Sequence, residues 1–158
     1  MSNAFFTLAI TVGPESIDLL EHVNNREYLR WMELGATSHA ASLGWDFETL
    51  KQHGVVWVAR QHWIEYLRPS VLGDQLVLYT WVQSIKRFSS LRRYALKRGE
   101  DVLMVGATEW VLVDYQKRRP TPILPEVIQT FTLVPPEDPR LVELGIQRLV
   151  RFMPSAGL

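Results

Sequence analysis

Residues 22–43 read HVNNREYLRWMELGATSHAASL, and their reading decides the fold. From Asn25 to Leu43, Tyr28, Met32, Gly35, Ala36, His39, Ala40 and Leu43 recur at helical spacing and share one face. Gly35, Ala36 and Ala40 put small residues at the centre of that face. Glycine is poor in a helix interior, so this arrangement predicts a helix held close against a sheet. Gly44 ends it. In front of the helix stands a polar cluster, His22-Val23-Asn24-Asn25, with Asp18 four residues before His22. Two readings fit these letters. The asparagines cap the helix and Asp18 is a surface acid. Alternatively, the first helical amides, which lack partners and sit at the positive end of the helix dipole, bind a carbonyl oxygen that gains charge. Asp18 would then activate water or attack directly on an activated acyl group.

Working outward, FFTLAITV (5–12) reads as a strand broken by GPES, and DFETLKQHG (46–54) as a second short helix with Asp46 as N-cap. Strand-like runs follow at 55–67, 75–85, 89–96 and 102–115, separated by RPSVLGD, KRF and KRGED. These breaks are too short for helical crossovers, so the strands are expected to form mainly antiparallel meanders. The runs at 75–85 and 102–113 are apolar on both faces. One face fits the long helix, and the other predicts a partner subunit as its cover. Beyond Arg118 the chain is proline-rich. A short helix near Pro125–Phe131 is expected, then a loosely packed extension.

Composition narrows the function classes. The chain has 158 residues, 47% hydrophobic and 22% charged, enough for one domain with a sizeable core. Seventeen basic side chains balance seventeen acidic ones, which gives no electrostatic reason to expect a nucleic-acid partner. The absence of cysteine removes disulfides, thiol nucleophiles and thiolate metal sites, and agrees with a reducing cytoplasm. No apolar run reaches membrane-spanning length. There is no G-x-S-x-G elbow, phosphate loop or dinucleotide fingerprint. The four histidines show no paired spacing, so no metal site is expected. His39, on the apolar helix face, reads as a core histidine.

The segment IDLLEHVNNREYLRWMELGA (17–36) resembles the D-x-x-x-H-V-N-N-x-x-Y-L start of hotdog-fold acyl-CoA thioesterases of the 4-hydroxybenzoyl-CoA thioesterase-like family. IEYLRPSVLGDQLVLYTWV (64–82) and RRPTPILPEV (118–127) resemble two further stretches of that family, in the right order. The resemblance implies an α+β hotdog fold, one long helix wrapped by a curved antiparallel sheet. It places the hotdog domain at 1–130 and leaves a C-terminal extension at 131–158. It implies a thioester hydrolase that forms a homodimer or homotetramer, with the active site between subunits. No cofactor is required, since coenzyme A enters as part of the substrate.

Residue by residue, Asp18 takes the place of the family's carboxylate, as general base or nucleophile. Asn25 stands where the helix begins and would offer its backbone amide to the thioester carbonyl. His22 positions substrate or water, or braces the loop. Tyr28 and Trp31 are core residues unless an acyl pocket opens beside the helix. The segment IKRFSS (85–90) is either a charged hairpin turn or the place where the nucleotide end of coenzyme A meets Lys86, Arg87, Ser89 and Ser90. Arg60 is a salt-bridge residue or a pocket wall. Leu20 departs from the acyl-ACP thioesterase branch, which carries asparagine two residues after its acid, and Glu21 is a second carboxylate nearby. Two alternatives therefore stand beside acyl-CoA hydrolysis: an acyl-carrier-protein thioesterase, and a non-catalytic hotdog dimer that binds an acyl ligand.

Overall fold

The long helix spans Asn25–Ser42 (α1), with Asn24 as its N-cap and Leu43 closing it. The computed structural model describes residues 4–148 and 150. Tyr28, Trp31, Met32, Gly35, Ala36, His39 and Ala40 are the buried side of α1, the face expected from spacing with Trp31 added and with Leu43 left out as the half-buried C-cap. Its small centre has the expected cause. A Cβ on Gly35 would lie 2.6 Å from Leu78 Cδ2, so the helix approaches the sheet closely there. Gly44, at φ +93°, takes the left-handed conformation that turns the chain away. A second helix, Phe47–Gln52 (α2), starts at Asp46, whose carboxylate accepts from the Thr49 amide at 2.8 Å.

Among the described residues five strands form one antiparallel sheet: Phe5–Thr11 (β1), Val55–Tyr66 (β2), Gln75–Ile85 (β3), Ser89–Arg98 (β4) and Asp101–Asp114 (β5). Their spatial order is β1-β3-β4-β5-β2. β3, β4 and β5 form the expected meander. β2 departs from it: it pairs with β5 and lies at the far edge from β1. The connection 67–74 therefore passes across the sheet instead of making a hairpin. Three strand spacings are only roughly 14 Å, which eight residues span easily without a helix.

The first core lies between α1 and the sheet. Met32, Tyr28 and Trp31 meet Leu76, Leu78, Tyr94, Leu96 and Met104 there, all of them buried. Alternation along β4 sends Arg92, Tyr94 and Leu96 towards this side and Arg93, Ala95 and Lys97 to the other.

That second side corrects two expectations. Val134, Leu141, Ile146 and Val150 pack over Trp81, Ala95, Val105 and Ala107. The chain's own C-terminal segment thus covers the apolar face that had called for a partner subunit, and its described part is packed there through these four residues. It carries a short helix, Pro139–Glu143, that proline content had hidden; the expected helix near Pro125 is Pro125–Thr130 (α3). Prolines cannot extend a sheet, but the apolar residues between them still bury. Buried cations fasten the segment: Lys97 Nζ donates to the Leu144 carbonyl at 2.6 Å, and Arg93 Nη2 to that of Arg148 at 2.9 Å. Residues 149 and 151–158 of the expected extension lie outside the described residues.

Candidate active site at the start of the long helix

The segment before α1 folds back on itself. Ile17 and Val23 form a β-bridge, the Asp18 amide donates to the His22 carbonyl at 3.0 Å, and the Glu21 amide returns to the Asp18 carbonyl at 3.0 Å. This five-residue turn needs one left-handed residue, and Glu21 supplies it at φ 62°. The turn is tied to its neighbours by two further bonds, Val23 amide to Ser70 carbonyl and Asn24 amide to Ser16 carbonyl, each 2.8 Å. Asp18 is thereby held a fixed short distance along the chain from the helix start.

The Asp18 carboxylate is half-buried, and its Oδ1 accepts from the Leu20 amide at 2.9 Å. This contact orients the group through backbone, at the very position where the acyl-ACP branch carries asparagine. Leu19 and Leu20 point fully outward, at 102% and 75% exposure. His22 is exposed, and its ring has no partner among the described residues.

Asn24 and Asn25 divide the work at the helix start. The Asn24 side chain accepts from the Arg26 amide at 3.0 Å, which is capping. Glu27 does not close a capping box; it accepts from Ser16 Oγ at 2.6 Å and pairs with Arg30 at 2.8 Å. The Arg30 hydrogen bond is the main cause that holds the Glu27 carboxyl below its usual range. Asn25 is the first helical residue, and its amide has no acceptor among the described residues. Its carbonyl accepts from Tyr66 Oη at 3.4 Å. Tyr28 is 3% exposed and meets Tyr66 and Trp31 edge-on, with ring centroids 5.2 and 5.6 Å apart. Burial raises its pKa. Asp18, His22, Asn25 and Tyr28 are thus gathered at one end of the molecule.

The other candidates lie elsewhere. Arg60 sits at a bulge on the β2 edge, exposed, 3.6 Å from Glu109. Lys86 and Arg87 are exposed in the β3–β4 turn, with Arg87 over the Phe88 ring. Ser89 and Ser90 follow that turn but are buried, at 3% and 8% exposure. β3 runs from the Asp18 end to this turn, so within one chain the two groups are separated by roughly 33 Å. The structure does not bring them together.

A feature outside these candidates is an apolar cavity of about 390 Å³ beside the C-terminal half of α1. Ala36, Ala40, Trp45, Trp57 and Phe131 are among its walls, and Arg92 and Ser90 also reach it. Arg92 is 5% exposed; its Nη1 donates to His39 Nδ1 at 2.9 Å and to Thr80 Oγ1 at 3.1 Å. The first bond requires Nδ1 to accept, so His39 is a neutral imidazole there. Burial lowers the Arg92 pKa to about 10, which leaves it charged at neutral pH. The signal for Arg92 was legible in SSLRRYAL: two cations in an otherwise strand-like run must face opposite sides, so one of them enters the core.

Among the described residues no helix is long and apolar enough to cross a membrane. Comparison with known proteins bears on the chemistry. The acyl-ACP thioesterase N-terminal domain family matches residues 5–131. A putative acyl-CoA thioesterase, YneP of Bacillus subtilis, is 27% identical over 112 residues, which cover 70% of this chain and 81% of that protein. The chloroplast oleoyl-acyl carrier protein thioesterase 1 of Arabidopsis thaliana is 26% identical over 112 residues, 66% of this chain and only 31% of the plant protein. Among solved structures, a DHNA-CoA thioesterase from Staphylococcus aureus superposes with a TM-score of 0.74 at 16% identity, over 94% of this chain and 99% of that one. With the fold and the match to most of its length in agreement, the chain belongs to the acyl-ACP thioesterase N-terminal domain family and is a hotdog-fold thioester hydrolase.

Proposed function

We propose that the protein hydrolyses acyl-CoA thioesters to the free acid and coenzyme A, with Asp18 as general base or nucleophile. The observation that carries this reading is the pairing of an oriented carboxylate with an unpaired first helical amide. The Asp18 turn is pinned to the start of α1, and the Asn25 amide has no acceptor among the described residues. A thioester carbonyl placed on that amide gains the helix dipole as its charge develops. Thiolate is a good leaving group, so little acid assistance is needed. His22, exposed beside Asp18, positions water or substrate.

Lys86 and Arg87 bind the phosphates of coenzyme A, and the substrate spans two copies of the chain. The support is twofold. One chain holds Asp18 and Lys86 at opposite ends of the sheet. The outer edge of β2 is unpaired among the described residues and carries exposed Val58 and Tyr66, a strand edge suited to a second copy.

A second reading, hydrolysis of an acyl group on a carrier protein, is favoured by the matching family and by the name of the plant relative. A matched panel of acyl-CoAs and acyl-carrier-protein thioesters, followed by release of free thiol, separates the two. Higher kcat/KM on coenzyme A esters supports the first reading. Higher kcat/KM on carrier-protein esters replaces it with the second, and release from neither rejects both.

A further inference from the structure

Arg92 is a charged group with donors to spare. A guanidinium has five N–H donors. Both hydrogen bonds of Arg92 leave from Nη1, and Nε and Nη2 have no acceptor among the described residues. Its two partners, His39 and Thr80, are neutral. Among the described residues that line the cavity there is no carboxylate. Thr80 Oγ1 is itself committed, since it donates to the Arg93 carbonyl at 2.9 Å. Phe131 has its ring centroid 5.9 Å from the guanidinium carbon. Neither Nε nor Nη2 is sealed off, since among the described residues only Trp81 Nε1 is buried without a partner, so this side of the fork opens to the apolar space beside it.

The cavity also has the dimensions of a ligand site. About 390 Å³ falls within the roughly 300–1,000 Å³ usual for small-molecule pockets. Its walls are almost wholly apolar, and Arg92 is the only charged group among the described residues that line it. From Asn25 to Ala36 and Ala40 the helix rises by roughly 16 and 22 Å, so the cavity is remote from the Asp18 end of the same chain.

We propose that this cavity binds a carboxylate carried on an apolar body, the carboxylate paired with the Arg92 guanidinium and the hydrocarbon lying against Ala36, Ala40, Trp45 and Trp57. Guanidinium and carboxylate match as two parallel hydrogen bonds, and the pair forms away from water, where it is strongest. Two sources supply this chemistry: a free carboxylic acid, or the far end of an acyl group that bears a terminal carboxyl. The site does not depend on Asp18 being the acid that works on the thioester, because occupancy is read by binding without turnover.

The test titrates the full chain with decanoate and, separately, with methyl decanoate, and follows the fluorescence of the cavity tryptophans. Decanoate is expected to bind roughly tenfold or more tightly than its ester. Arg92→Met should abolish that preference while ester affinity is retained. Equal affinity for acid and ester in the unaltered chain overturns the proposal, and so does an Arg92→Met chain that still prefers the acid. Should Arg92→Met fail to fold, the acid-to-ester ratio of the unaltered chain decides alone. The mono-coenzyme A ester of decanedioic acid, titrated into Asp18→Asn to prevent turnover, separates the sources. Tighter binding of decanoate assigns the site to free acids. Tighter binding of the mono-ester, lost on Arg92→Met, assigns it to acyl chain ends.

Discussion

The two ends of α1 handle polar groups in opposite ways. At its start, Asp18, His22 and Asn25 sit at or near the surface, and almost every restraint on them is a backbone hydrogen bond of a turn. At its C-terminal half, Arg92 and His39 are buried, and side chains hold them. A carboxylate near the surface, held by one backbone amide, can be altered with little cost to folding. A buried guanidinium depends on every acceptor it has. The start of the helix is therefore where chemistry can be removed with the fold intact, while the far end links ligand recognition to stability.

Predictions follow from that contrast, ordered by the free energy involved. Between the two ends, Met32 is fully buried against Gly106, where an added Cβ would lie only 3.0 Å from its Cε. Met32→Ala should cost about 2–5 kcal/mol in denaturant unfolding, and a smaller loss would mean that α1 can settle further onto the sheet. At the buried end, Thr80→Val removes one of two acceptors of Arg92 and the donor to the Arg93 carbonyl. It should cost about 1–3 kcal/mol by the same measurement. No change would show that the guanidinium finds another acceptor. In the β3–β4 turn, replacing Lys86 and Arg87 together with alanine should raise KM for acyl-CoA about tenfold with a smaller change in kcat, because remote phosphates contribute uniform binding. An unchanged KM assigns the pair to an ordinary charged turn. Smallest of these, Asn24→Ala should lower stability by about 1 kcal/mol through loss of one cap, and a thermal melt would register it.

Sequence patterning revealed the parts of this molecule that repeat at a fixed period. The face of α1 was legible because seven positions recur at helical spacing, and Asp46 was legible as a cap because its neighbours begin a helix. The Asp18-to-Asn25 segment was legible as a candidate through its order of residue types, but not its turn geometry, which rests on one left-handed Glu21 and on Ser70, far away in sequence. Strand order was not legible: β2 reads like a member of a meander, and only packing places it beside β5. The C-terminal segment was misread because prolines mark where a chain cannot join a sheet and are silent on whether it lies over one. The cavity and its cation escaped notice because a pocket is a property of several elements at once. Even so, RR within SSLRRYAL carried the hint that one arginine must turn inward.

The most direct test of the account is the turnover of Asp18→Asn, read beside its folding and its substrate affinity from a single preparation. Asparagine keeps the shape, and its side-chain oxygen can still accept from the Leu20 amide, but it can neither take a proton nor attack as a carboxylate. The predicted result is a kcat for acyl-CoA lowered about a hundredfold or more, with melting temperature and acyl-CoA binding unchanged. Retention of nearly full turnover would contradict it and move the chemistry to Glu21 or His22; loss of turnover together with folding would leave Asp18 as a structural cap of the turn before the helix.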